Sequence, residues 1–216
     1  MKPRFTPILF DLDGTLVDSG KDIAQAANRT LVRLGLETLP EEEIISFVGD
    51  GIRRLMEKTL GPHPEMDVDA AVKDFRADYR QSCLVYTVPY PGIMDLLRDL
   101  KDYPVTVVTN KPVLFSKAII DGLGMSEFVD AQVGGDEAEL KPAPDPLLLA
   151  CERLGIGPAA GLMVGDFVKD IQAGRAAGMK TCGVLWGLEG GAGINDSGAD
   201  FVCSTVSELR DVIFGG

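Results

Sequence analysis

The residues of this sequence best suited to chemistry stand where strand-like runs give out. The run Thr6 to Phe10 ends in Asp11-Leu12-Asp13-Gly14-Thr15, and the run beginning at Val105 ends in Thr109-Asn110-Lys111. Lys141 precedes a helical pattern, and the run from Gly161 ends in Gly165-Asp166, with Asp170 beyond it. In an open α/β sheet, ligands collect at the carboxyl ends of strands, so these positions would share one crevice. Carboxylates gathered there repel, by ~4 kcal/mol for a like-charged pair ~4 Å apart at an effective dielectric of ~20. Something positive must offset them. A hard divalent cation does so economically, because Mg²⁺ takes one or two carboxylates and keeps its other places for water and phosphate oxygens. Lys141 would bring a second positive charge. The bland alternative is that each aspartate closes a turn, as aspartate after a strand often does. That accounts more easily for one such residue than for a set at successive strand ends.

The elements that must position these residues follow from the hydrophobic pattern. Thr6 to Phe10 is short, apolar and β-branched, as a buried parallel strand is. From Asp18 to Leu34 the apolar positions Ile23, Ala27, Leu31 and Leu34 recur at helical spacing, with Gly35 placed to cap the end. Asp18 and Ser19 read as helix-start residues. A second helix opens at Pro40 with Glu41, Glu42 and Glu43 in its first turn. A third is expected over 52–60 and a fourth over 67–83, so residues 17–86 read as helices without a strand. Val88-Pro89-Tyr90-Pro91-Gly92 then forms a hinge. Strand and helix patterns alternate from there to Ile213, with strands expected at 105–109, 129–133, 161–164, 180–185 and 201–202. The expectation is an α/β fold with a doubly wound parallel sheet, a Rossmann-like core of residues 1–16 and 87–216, and an inserted α-helical cap of residues 17–86. Gly187 to Gly193 has no strand-glycine-helix signature and reads as a loop.

Composition sets limits on partners. The chain has 216 residues, 45% hydrophobic and 25% charged, which suits one full domain and a smaller one. No apolar run approaches the ~18 residues of a membrane span, and the start lacks a secretory pattern, so a cytoplasmic protein is expected. A formal net charge of −12 argues against nucleic-acid or anionic-membrane partners, which need a positive field. Cys83, Cys151, Cys182 and Cys203 form no CxxC pair and read as reduced, buried thiols. The single histidine, His63, lies between prolines and reads as a loop residue. Monomer and dimer are both left open.

The string DLDGTLVDS at 11–19, then Thr109, Lys141 and Gly165-Asp166-x-x-x-Asp170, resembles the four-motif signature of the haloacid dehalogenase superfamily across nearly the whole chain. The strings VGDG at 48–51, PYPG at 89–92, TNKP at 109–112 and KPAPDP at 141–146 look like its phosphoglycolate phosphatase branch. Phe167 departs from the pattern, standing where many relatives carry serine or threonine. The resemblance implies Asp11 as a carboxylate nucleophile forming an aspartyl-phosphate, and Asp13 as the acid and base for leaving group and water. It implies that Thr109, the backbone around Asn110, and Lys141 hold the phosphoryl oxygens. Mg²⁺ would be held by Asp11, the Asp13 carbonyl and Asp166, with Asp170 orienting Lys141 or a metal-bound water.

Thr15 could tune Asp13 or finish the turn opened by Gly14. In the cap, Gly49 and Gly51 allow close backbone approach, and Arg53 could meet a substrate carboxylate, or be a solvated surface residue. Lys111 divides between substrate contact and surface charge in the same way. The implied activity is hydrolysis of a small phosphorylated metabolite, with 2-phosphoglycolate favoured. A sugar-phosphate mutase, a pyrophosphatase and, from another class, a phospho-acceptor signalling domain remain as alternatives.

Overall fold

A computed structural model describes residues 2–61, 63 and 65–215 of the chain. The first strand, β1 (Ile8–Phe10), is wholly buried and occupies the middle of the main sheet. After a two-residue strand β2 (Val17–Asp18), the chain forms helices α1 (Gly20–Arg33), α2 (Glu41–Ile45), α3 (Gly51–Leu60) and α4 (Val68–Ser82). It returns through β3 (Val88–Pro89) to α5 (Ile93–Asp99), β4 (Val105–Val108), α6 (Val113–Gly122) and β5 (Ala131–Val133). Then come α7 (Asp145–Leu154), β6 (Leu162–Gly165), α8 (Val168–Ala176), β7 (Lys180–Val184), β8 (Phe201–Cys203) and α9 (Val206–Phe214).

Six strands form one parallel sheet in the order β5-β4-β1-β6-β7-β8. The order places β4 and β6 on either side of β1, so the residues that follow these three strands emerge side by side. Apolar runs hold the sheet because both faces are covered. Ile8 and Phe10 join the larger core with Val105, Val107, Leu162 and Val164, whereas Leu9 faces the other way with Val108, Met163, Leu147 and Ala173. Each such side chain contributes on the order of 1.5–3 kcal/mol on burial.

Helix α1 lies against α2 and α4 along a buried stripe that includes Ile23, Ala27 and Leu31. Gly35 (φ +74°) lies just past its end, where only glycine turns without strain. The start of α1 differs from expectation, since Asp18 is exposed in β2 and not helical. β2 and β3 pair antiparallel, Val17 opposite Pro89 and Asp18 opposite Val88, so the two crossings into and out of the helical segment form one ribbon. Asp22 clasps the same junction. Its buried carboxylate accepts from the Tyr86 and Thr87 amides at 2.8–3.0 Å and from the Thr87 hydroxyl at 2.7 Å. The four cysteines are free and buried. Among the described residues, no helix is long and apolar enough to cross a membrane.

Candidate active site

Asp11 leaves β1 with its amide donating to the Val164 carbonyl at 2.9 Å, which fixes its backbone to β6. Its Oδ1 lies 2.9 Å from Lys141 Nζ, and Asp170 Oδ1 lies 2.7 Å from the same ammonium. The third contact of Lys141 Nζ is the Val108 carbonyl at the end of β4, at 2.7 Å. Asp166 follows β6 and accepts from the Thr15 hydroxyl at 3.0 Å and the Leu188 amide at 3.1 Å. Asp170 also accepts from the Phe167 amide at 3.0 Å, which closes the first turn of α8 over the cluster. Gly14 makes this crowding possible. With φ +83°, it presents no side chain where a Cβ would stand 2.0 Å from Asp166 Oδ2.

Asp11, Asp166 and Asp170 each bring a carboxylate oxygen to within 4.8 Å of the others, all buried. Burial raises the Asp166 carboxyl well above the usual range, and the neighbouring charges of Asp11 and Asp170 raise it further against its two hydrogen bonds. Asp170 is raised to about 6, by burial first and by Asp11, with Lys141 opposing. One lysine is thus set against three carboxylates. The donors are all hard oxygens, and the electrostatic deficit is that of a cation, so the residues present fit a divalent metal ion.

Asp13 lines the same cavity as Asp11 but has a separate set of partners. Its carboxylate lies 3.1 Å from Lys111 Nζ and accepts a short hydrogen bond from the Ser19 hydroxyl. Lys111 is buried and donates to the Tyr79 hydroxyl of α4 at 2.9 Å. Burial disfavours its ammonium, yet Asp13 and Tyr79 more than offset that, and its pKa stands above the ordinary lysine value. Lys111 is therefore no surface charge. Thr15 closes its turn by donating its amide to the Leu12 carbonyl at 3.3 Å, and its hydroxyl serves Asp166, not Asp13. Ser19 corrects a second reading, because it precedes α1 without capping it and spends its hydroxyl on Asp13.

Asp11, Asp13, Lys111, Lys141 and Asp170 line a cavity of about 50 Å³ that the helical segment closes from above with Val48, Gly49, Gly51, Ile52, Leu55, Phe75 and Tyr79. Thr109 and Asn110 line it from β4, and Lys169 from α8. Arg53 does not take part. Its side chain is 57% exposed and pairs with Asp69 and Glu57. The reason is helical phase, since Leu55, Met56, Thr59 and Leu60 are the buried residues of α3 and Arg53 points off that stripe.

The sequence profile of the haloacid dehalogenase-like hydrolases matches residues 8–184. The chain belongs to this family. Among curated members, it is 43% identical to a phosphoglycolate phosphatase of Aquifex aeolicus, with 94% of this chain and 93% of that protein covered. It is 35% identical to an N-acetylmuramic acid 6-phosphate phosphatase of Pseudomonas putida, covering 97% of this chain and 96% of that one. Among solved structures, a haloacid dehalogenase-like family hydrolase of Streptococcus pneumoniae superposes with a TM-score of 0.84 at 25% identity, covering 95% and 97% of the two chains.

Within this hydrolase, sequence reasoning missed Ser19 as a partner of Asp13, and Tyr79 and Lys169 as cavity residues. Ser19 carried a usable signal, lying at the end of the DLDGTLVDS string. Tyr79 and Lys169 carried none, because one sits on a helix far along the chain and the other one residue before a motif aspartate.

Proposed function

We propose that this haloacid dehalogenase-like hydrolase is a Mg²⁺-dependent phosphatase acting on a compact phosphomonoester with a second anionic group, 2-phosphoglycolate. The observation that carries this reading is the pairing of two buried lysines across one small cavity: Lys141 beside Asp11, and Lys111 beside Asp13 and Tyr79. The first suits a phosphoryl group and the second suits a carboxylate. The names borne by similar proteins point the same way.

In the proposed reaction an Asp11 carboxylate oxygen bonds to phosphorus as the ester P–O bond breaks, and the Asp13 carboxyl gives its proton to the departing alkoxide. Asp13 then takes a proton from water, whose oxygen displaces Asp11 and frees phosphate. Lys141, Thr109 and the Asn110 backbone hold the phosphoryl oxygens, where transition-state charge accumulates. Asp170 steadies the Lys141 ammonium between itself and Asp11. Asp11, the Asp13 carbonyl and Asp166 would hold Mg²⁺, which when bound supplies the positive charge that lets a phosphate anion approach a carboxylate. Residues 17–86 act as the cap that excludes bulk water. Four unpaired cysteines suit a reducing compartment, the cytoplasm.

A second reading is a hexose-sized substrate, as in the name of the Pseudomonas putida relative. The test is phosphate release by purified protein from 2-phosphoglycolate, hexose 6-phosphates, N-acetylmuramic acid 6-phosphate, pyrophosphate and nucleotides. Turnover is expected with Mg²⁺, to cease with EDTA, and to be greatest on 2-phosphoglycolate. Preference for a hexose phosphate would overturn the substrate, and sustained turnover in EDTA would overturn the metal.

A further inference from the structure

The Asn110 carboxamide is spent on backbone groups from two distant segments. Its nitrogen donates to the Gly49 carbonyl at 2.9 Å and to the Lys141 carbonyl at 3.0 Å, and its oxygen accepts from the Lys141 amide at 2.9 Å. Asn110 is 7% exposed, so these partners cannot be exchanged freely for water. One side chain therefore grips both ends of the Lys141 backbone unit and the turn of the helical segment that sits above the cavity.

That turn has its own attachment. Asp50 pairs with Lys169 of α8 and, at 3.1 Å, with Lys58 of α3. The Lys169 ammonium rests over the Phe167 ring, 4.9 Å from its centroid. Gly49 has φ +112°, and a Cβ there would stand 2.9 Å from Lys169 Nζ and 3.2 Å from Phe167 Cζ. The backbone of the turn thus lies directly on these two residues, and a side chain at Gly49 would lift it.

We propose that Asn110 is a positioning residue that makes the placement of Lys141 contingent on the seating of the turn Gly49-Asp50-Gly51, and that the Asp50–Lys169 ion pair is the contact that seats it. Phosphoryl-site assembly is then coupled to closure through one carboxamide. Phe167 belongs to the device as the surface on which Lys169 rests, which gives this position of the fourth motif a purpose that a small hydroxyl residue would not serve. The inference rests on the proposed role of Lys141 toward phosphate, and its structural half can be read without any substrate.

The experiment combines amide hydrogen exchange with steady-state phosphate release from 2-phosphoglycolate, on full-length wild type, Asp50→Asn, Lys169→Met, the Asp50→Asn/Lys169→Met double variant, Asn110→Ala and Asn110→Ala/Lys169→Met. Asp50 and Lys169 are partly exposed, so their variants are expected to fold even if Asn110→Ala does not. In Lys169→Met, the Lys141 amide is expected to lose protection together with residues 47–52, while β1 and β6 keep theirs. Lys169→Met and Asp50→Asn should each lower kcat by about tenfold with KM changed less, and the double variant should be no worse than either single one, as coupled sites behave. Asn110→Ala should lower kcat more, and adding Lys169→Met to it should cost little further.

Unchanged protection of the Lys141 amide in Lys169→Met would overturn the link. So would effects of Asn110→Ala and Lys169→Met that simply multiply, or losses confined to KM. A wild-type protein that releases no phosphate would sink the phosphatase reading instead, and amide exchange alone would then decide whether the link exists.

Discussion

The two walls of the cavity are built on different principles. The floor consists of residues that follow β1, β4 and β6, three strands paired side by side, together with Lys141, whose ammonium is held at the end of β4 by the Val108 carbonyl. The roof consists of residues on α3, α4 and the turn at Gly49, whose directions depend on how whole helices pack. Floor residues are thus placed by the sheet, and roof residues by tertiary contact. Chemistry that needs a fixed geometry belongs on the first, and contacts that must open and close belong on the second.

Substitutions can break or sharpen that contrast. The largest effect is expected at Asp11, where Asp11→Asn should lower turnover by at least about 10³-fold while circular dichroism stays native, since the nucleophile is lost and the shape is kept. Wild-type turnover in that variant would falsify the assignment. Lys141→Met should reduce kcat by about 10²- to 10³-fold. Thermal melting of the same variant should also fall, because Asp11 and Asp170 lose their shared cation.

On the roof side of Asp13, Lys111→Met should show selectivity instead of uniform loss. The fall in kcat/KM for 2-phosphoglycolate should exceed that for p-nitrophenyl phosphate, which has no carboxylate, by about tenfold or more. Equal losses on both substrates would assign Lys111 to Asp13 alone. The smallest effect is expected at Arg53, where Arg53→Ala should leave both kinetic constants within about twofold, since a mostly exposed ion pair contributes little. A large rise in KM there would show that helix α3 rotates on substrate binding.

Legibility followed the same division. The floor could be read because a parallel strand announces itself as an apolar run and its end names the site residue, as at Phe10-Asp11 and Gly165-Asp166. Element boundaries moved by no more than about three residues, apart from the ribbon of β2 and β3, whose two-residue strands are too short to leave a pattern. The roof was read less well. Arg53 was the obvious cation by type, but helical phase turned it to solvent, and the lysines that line the cavity, Lys111 after β4 and Lys169 on α8, come from the sheet side instead. Thr15 serves Asp166 where Asp13 was the expected partner, and Ser19, read only as a helix-start residue, spends its hydroxyl on Asp13.

What the sequence determined by itself was the order of the main-sheet strands and the helices, the helical segment that follows the first strand, and the site residues themselves, the aspartates at strand ends and Lys141 ahead of its helix. Periodicity and turn chemistry act over a few residues, so they can be read locally. Only the tertiary structure decided that Asn110 spans Gly49 and Lys141, that Asp50 meets Lys169, and that Lys111 lies between Asp13 and Tyr79. Those partners are separated by tens of residues or more, and their meeting depends on how the helices dock over the sheet, which no local pattern records.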